Sequence, residues 1–153
     1  MCSFDRVRVC AGLIVALASP VRPASAAEAG ADRIEVSITG LRSGAGQVLC
    51  ALHSSADAFP GKSELAVQRT RSPITNKAAR CTFEHVAAGT YAVSVFHDEN
   101  GNMKLDKNFL GIPIEGIGVS RDAKGFMGPP RFDNASFAYP GGVMELTIHM
   151  QYM

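Results

Sequence analysis

The stretch Ala79-Arg80-Cys81-Thr82-Phe83-Glu84-His85-Val86, Ala87-Ala88-Gly89, Thr90-Tyr91-Ala92-Val93-Ser94-Val95-Phe96-His97 carries the plainest period in the chain. Cys81 and Phe83 alternate with polar residues, and beyond the small turn Tyr91, Val93 and Val95 share a second face. Side chains along an extended strand point to opposite sides in turn, so each run predicts a strand with one buried face. The short turn at Gly89 predicts that the two runs pair as a hairpin at the centre of the fold. Working outward, Ile34, Val36 and Ile38 alternate with Glu35, Ser37 and Thr39, and a run from Gly46 to His53 follows the turn Ser43-Gly44-Ala45-Gly46. These predict a second hairpin. Glu64 to Arg71 reads as a weaker strand ending at Ser72-Pro73, placed at an edge because proline has no backbone donor. A last strand runs from Val143 to Tyr152 after Tyr139-Pro140-Gly141-Gly142. With no helical stripe among these elements, the expectation is an all-β fold: a single antiparallel β-sandwich, transthyretin-like or immunoglobulin-like, of 6–8 strands. A long Gly/Pro-rich loop fills Asp98 to Asn134.

Composition fits one compact domain. Of 153 residues 46% are hydrophobic and 19% charged, which excludes a disordered chain. The formal charge is +1 and no run of Lys or Arg occurs, so no nucleic acid partner is expected. Residues 1–26 have Arg6 and Arg8, an apolar stretch from Val9 to Ala18, and the small residues Ala24-Ser25-Ala26-Ala27. This is the pattern of a secretory signal peptide cleaved after Ala26 or Ala27, leaving residues 27–153 as the domain of a periplasmic or secreted protein. The apolar stretch is about half the ~20 residues a membrane helix needs, so no membrane span is expected. Cys2 and Cys10 depart with the leader, and Cys50 and Cys81, both on inward strand positions, predict one disulfide in an oxidising compartment.

Two resemblances rest on particular residues. Phe83 to Val95, with a small Gly turn before a tyrosine that starts a core strand, resembles the hairpin of transthyretin-like and carboxypeptidase-regulatory-like sandwiches. The order His97-Asp98-Glu99-Asn100-Gly101-Asn102, Leu105-Asp106, Asn108-Phe109-Leu110-Gly111-Ile112-Pro113, Glu115-Gly116, Gly128-Pro129-Pro130 and Phe132 resembles a bacterial exported family catalogued as domain of unknown function 2141. That resemblance implies an exported β-sandwich without established catalysis. This chain departs from it at Met103, where such sequences usually carry glycine.

Asp98, Asn100, Asn102 and Asp106 fall at positions 1, 3, 5 and 9 of a calcium-loop register, with the Lys104 carbonyl at position 7. Alternate short side chains in a tight turn can direct oxygens to one centre, which is what a hard cation requires. Met103 and Phe109 replace the usual Gly and bidentate Glu at positions 6 and 12, so any missing ligand must come from elsewhere: Glu99, Asn108 or Glu115. Calcium, weakly held and structural, is the expected cofactor; the other reading is a set of Asx turns with no ion. His53, His85, His97 and His149 stand singly near strand ends. Gathered by the fold, they would make a zinc or copper site, the alternative function. Ser54, Ser94 and Ser120 lack a nucleophile-elbow motif, so an unrecognised hydrolase ranks third and no catalytic residue is assigned. Phe109, Leu110, Ile112, Pro113, Ile114 and Ile117 place apolar residues in the loop. They either cap one end of the sandwich or form an interaction surface for a protein partner or small ligand. The expected function is an exported, non-catalytic binding or accessory module.

Overall fold

The computed structural model describes residues 32–153, so the expected signal peptide lies outside the described residues. Eight strands make two sheets. They are β1 (Arg33–Thr39), β2 (Gln47–His53), β3 (Gln68–Pro73), β4 (Ala79–Glu84), β5 (Gly89–Asp98), β6 (Ile117–Val119), β7 (Phe137–Tyr139) and β8 (Val143–His149), with one short helix, α1 (Phe132–Ala135). The smaller sheet has the order β4-β1-β8. The larger has the order β3-β2-β5-β6, with β7 pairing the start of β5. Among the described residues no helix is long and apolar enough to cross a membrane.

The alternation predicted for β1 and β4 is the alternation of their burial, whereas β2 from Cys50 to His53 and β5 from Tyr91 to Val95 are buried on both faces. Ile34, Val36 and Ile38 of β1, Cys81 and Phe83 of β4 and Ile148 of β8 pack against Val48, Cys50 and Leu52 of β2 and Tyr91, Val93 and Val95 of β5. Each large aliphatic or aromatic side chain withdrawn in this way contributes about 1.5–3 kcal/mol. The predicted disulfide joins Cys50 of β2 to Cys81 of β4, one from each sheet, with Cα atoms 6.5 Å apart. Closing that loop stabilises the fold by roughly 3–4 kcal/mol through the entropy it removes from the unfolded chain.

Both predicted hairpins are replaced by crossings between sheets. β1 pairs with β4 and β8, while β2 pairs with β3 and β5, so neither β1–β2 nor β4–β5 is a hydrogen-bonded pair. The links do the crossing: residues 40–46 bury Leu41 as they pass, and Val86 is buried at the other crossing, its N–H donating to the Asp32 carbonyl. Tyr91 braces that second turn by donating its hydroxyl proton to the Ala87 carbonyl four residues back, at 2.9 Å. The sandwich is also not wholly antiparallel. β1 and β8 run parallel, Ile34 beside Met144 and Ile38 beside Ile148, which sets the last strand next to the first of the described residues.

The outer face of the larger sheet is half covered. Phe59, Val119 and Ala135 form a second apolar cluster with Ala92 of β5, and Phe132 packs against it.

Candidate functional site: the Asp98 to Gly116 loop

The loop starts where β5 ends beside β2. Asp98 stands opposite Gln47 in the ladder and is fully buried. Its carboxylate accepts the Gln47 side-chain amide at 3.0 Å and the backbone N–H groups of Asn102 and Met103, each at 3.0 Å. A carboxylate with several donors holds a turn more firmly than neutral partners do. The approach is close enough to dictate sequence on the facing strand: a Cβ at Gly46 would lie 1.9 Å from the Asp98 carbonyl oxygen.

Beyond Asp98 the alternate polar side chains wind the turn. Asn100 accepts the Asn102 N–H at 3.1 Å, and Asn102 accepts the Lys104 N–H at 2.8 Å. Gly101 and Met103 both sit at positive φ, 74° and 63°, a left-handed backbone that glycine adopts without strain and methionine does not. The amides of Asn100 and Asn102 then meet the Asp106 carboxylate, at 2.6 and 3.1 Å. Three of the five residues picked from the calcium register are therefore gathered in one turn, but the two amides present N–H groups to Asp106 and turn their oxygens to the backbone. Asp98 faces the inside of the same turn, and Lys104 enters the register only by its carbonyl.

Glu115 closes the loop. Its carboxylate is 5% exposed and accepts the Glu99 N–H at 2.9 Å and the Asp106 N–H at 3.0 Å, pinning both ends of the turn. Of the three residues considered as an extra ligand, Glu115 lies against the turn. Glu99 instead turns to Arg42 and Ser43. The Arg42 guanidinium, with help from the Ser43 hydroxyl, holds the Glu99 carboxyl down at about 2. Asn108 builds the tip, where its side-chain oxygen accepts the N–H groups of Leu110 and Ile112 at 2.9 and 3.0 Å.

This frame presents apolar side chains to solvent. Phe109 is 95% exposed, Leu110 67%, Ile114 50% and Ile112 41%, while Pro113 and Ile117 are half-buried. The tip does not fold back over the end of the sandwich. Strand β6, which the sequence pattern did not single out, anchors the far end beside β5.

The histidines do not assemble. His53 is buried on β2, its Nε2 2.8 Å from the Ser94 hydroxyl and its ring edge-on to Phe59. His97 is buried between the Tyr152 hydroxyl and the Ala45 carbonyl, each at 2.8 Å. His149 pairs with Asp122, and His85 lies in an exposed turn. Among the described residues no three His, Cys, Asp or Glu side chains are arranged to hold a metal ion, so a cation at the turn would depend on amide and carbonyl oxygens as well. His53 and Ser94 do form a serine–histidine pair, unforeseen from their positions in sequence. Among the described residues the imidazole Nδ1 has no partner, so none of their carboxylates orients the ring as in a catalytic triad, and both residues are buried. Ser120 fares no better as a nucleophile: its hydroxyl is fully buried, accepting the Val93 N–H and donating to the Ala135 carbonyl.

Neither a curated protein nor a solved structure matches the chain. A protein family does, over residues 36–147, which take in the second half of β1, the whole candidate loop and most of β8. By that match the chain belongs to the bacterial family described as uncharacterized proteins conserved in bacteria, DUF2141.

Proposed function

We propose that this protein is an exported, non-catalytic binding module whose 98–116 loop is its recognition element, docking a protein partner or small ligand through Phe109, Leu110, Ile112 and Ile114. One observation carries the reading: four large apolar side chains stand in solvent on a backbone pinned from within by Asp98, Asn108 and Glu115. A held loop has little ordering entropy left to lose on binding, and exposed apolar area marks interaction sites. The test is a double variant, Phe109→Asp/Leu110→Asp, compared with wild type for capture from a periplasmic extract. Equal melting points with loss of a specific captured species support the reading; the same species captured by both proteins refutes it.

Calcium seated in the Asp98–Asp106 turn belongs to the same proposal. Its support is the register of Asp98, Asn100, Asn102, the Lys104 carbonyl and Asp106 within one turn, and seating the ion requires the two amides to turn their oxygens toward it in place of the N–H groups they present to Asp106. With so few carboxylates, affinity in the weak extracellular range of about 10⁻⁴ to 10⁻³ M is expected. Melting curves in millimolar calcium and in chelator should differ, and superimposable curves remove the ion from the proposal. The alternative of a zinc or copper site has no cluster of histidines in its favour.

Export is proposed from the residue pattern at 1–26 and is in keeping with the inter-sheet disulfide, which suits an oxidising compartment. The first residue of the protein recovered from cells should be Ala27 or Glu28; a chain beginning at Met1 would overturn it. The finer fold assignment, a transthyretin-like sandwich, is supported by the two facing sheets and by Tyr91 at the start of a core strand.

A further inference from the structure

The uncovered half of the larger sheet's outer face holds a groove of about 400 Å³, lined by none of the loop tip's residues Phe109, Leu110, Ile112 and Ile114. Its floor is Leu49 and Ala51 of β2 and Phe96 of β5, and Met103 stands at one side. Leu49 is the ladder partner of both Phe96 and Arg71, and Ala51 of Arg69, so the two arginines rise from β3 on the same face as the apolar floor. Two residues apart on one strand, they are roughly 7 Å apart along it. Both are exposed, and neither guanidinium has a hydrogen-bond or ion-pair partner among the described residues. No acidic side chain lines the groove.

Apolar floor and unpaired guanidiniums on one rim together define a ligand class. We propose that this groove binds a small amphiphilic carboxylate, its hydrocarbon body on Leu49, Ala51 and Phe96 and its head between Arg69 and Arg71. The volume lies within the range of small-molecule sites, which are mostly apolar with a few polar groups that fix orientation. Guanidinium forks match carboxylate geometry, and charge complementarity selects an anion over a neutral or cationic body of the same size. The apolar floor calls for a hydrocarbon body, which an amphiphilic carboxylate carries and inorganic phosphate does not. The proposal is independent of the loop reading and survives its failure.

Three eight-carbon probes matched in length test it: octanoate, 1-octanol and octylammonium, each titrated into the isotope-labelled mature protein and followed by amide chemical shifts. Octanoate should shift Leu49, Ala51, Phe96 and Met103 saturably and bind at least tenfold more tightly than octanol, with octylammonium weakest. Raising the salt concentration should weaken octanoate alone. Arg69→Gln/Arg71→Gln, at two exposed positions, should melt as wild type does, lose at least tenfold in octanoate affinity and leave octanol unchanged. Equal binding of the three probes, shifts elsewhere, no binding of octanoate, or an undiminished affinity in the double variant would each overturn the proposal. If the arginines serve only to guard an edge strand against pairing with other chains, the double variant instead gains in self-association without any change in octanoate shifts.

Discussion

Replacing Glu115 by glutamine separates the two jobs its carboxylate performs. Each carboxylate oxygen accepts one backbone N–H, from Glu99 at 2.9 Å and from Asp106 at 3.0 Å, in a site only 5% exposed. An amide keeps one acceptor oxygen but turns an NH₂ toward the other N–H, leaving one donor unsatisfied at a cost of about 1–3 kcal/mol and weakening the other bond by loss of charge. Glu115→Gln should therefore cost about 2–3 kcal/mol, and Glu115→Ala, which frees both donors but admits water, about 3–4 kcal/mol. At about 4 °C per kcal/mol for a domain of this size, the glutamine variant should melt roughly 8–12 °C lower. Hydrogen exchange gives the residue-level readout: the amides of Glu99 and Asp106 should lose protection while those of β1 and β4 keep theirs. A glutamine variant that melts with wild type, both amides still protected, would refute Glu115 as the clamp.

Burial lowers the His53 imidazole below its ordinary value. Below about pH 6.5 the unfolded chain binds a proton that the fold does not, so stability is whole above that pH and declines as the pH falls; urea unfolding of His53→Phe should lack this slope. For Glu99, held at about 2 chiefly by Arg42, the contribution is present above the ordinary carboxyl value of 4.5 and is lost on acidification toward 2. Glu99→Gln should flatten acid unfolding across that window. The pair Cys50→Ala/Cys81→Ala should lose roughly 3–4 kcal/mol in denaturant, with intact and reduced wild type differing by a similar amount. Met103→Gly relieves a side chain held at φ 63° and should gain about 0.5–1 kcal/mol, measured as a raised urea midpoint with an unchanged slope.

The inward faces of β1, β2, β4 and β5 were legible in the sequence, because a period of two is local. Ile34, Val36 and Ile38 are buried as the alternation requires, and the inward placement of Cys50 and Cys81 brings their sulfurs together. Pairing was not legible. Strands on opposite sides of one core share the same alternation, so nothing in Ala79 to His97 distinguishes a hairpin from a crossing between sheets. Strand β6 has three residues, too short for a period to register within Gly- and Pro-rich sequence. At the candidate site the same division holds. The turn from Asp98 to Asp106 could be read because Asp and Asn bond to backbone two to five residues away. Glu115 stood only as one of three possible contributors, since its role depends on chain folding back over many residues. The Arg69–Arg71 rim needed the β2–β3 register before it could be seen at all.

The parallel pairing of β1 with β8 has a kinetic consequence. β1 is the middle strand of its sheet, yet one of its two neighbours is the last strand of the chain, more than a hundred residues away. Contacts of such separation slow folding, because the ends of a long loop must meet before any hydrogen bond rewards them. The smaller sheet therefore cannot be completed until residues 143–149 have been synthesised and delivered. Until then the vacant edge of β1 is open to strands of other chains, and the cysteine bridge, whose partners emerge earlier, can form while that edge still waits.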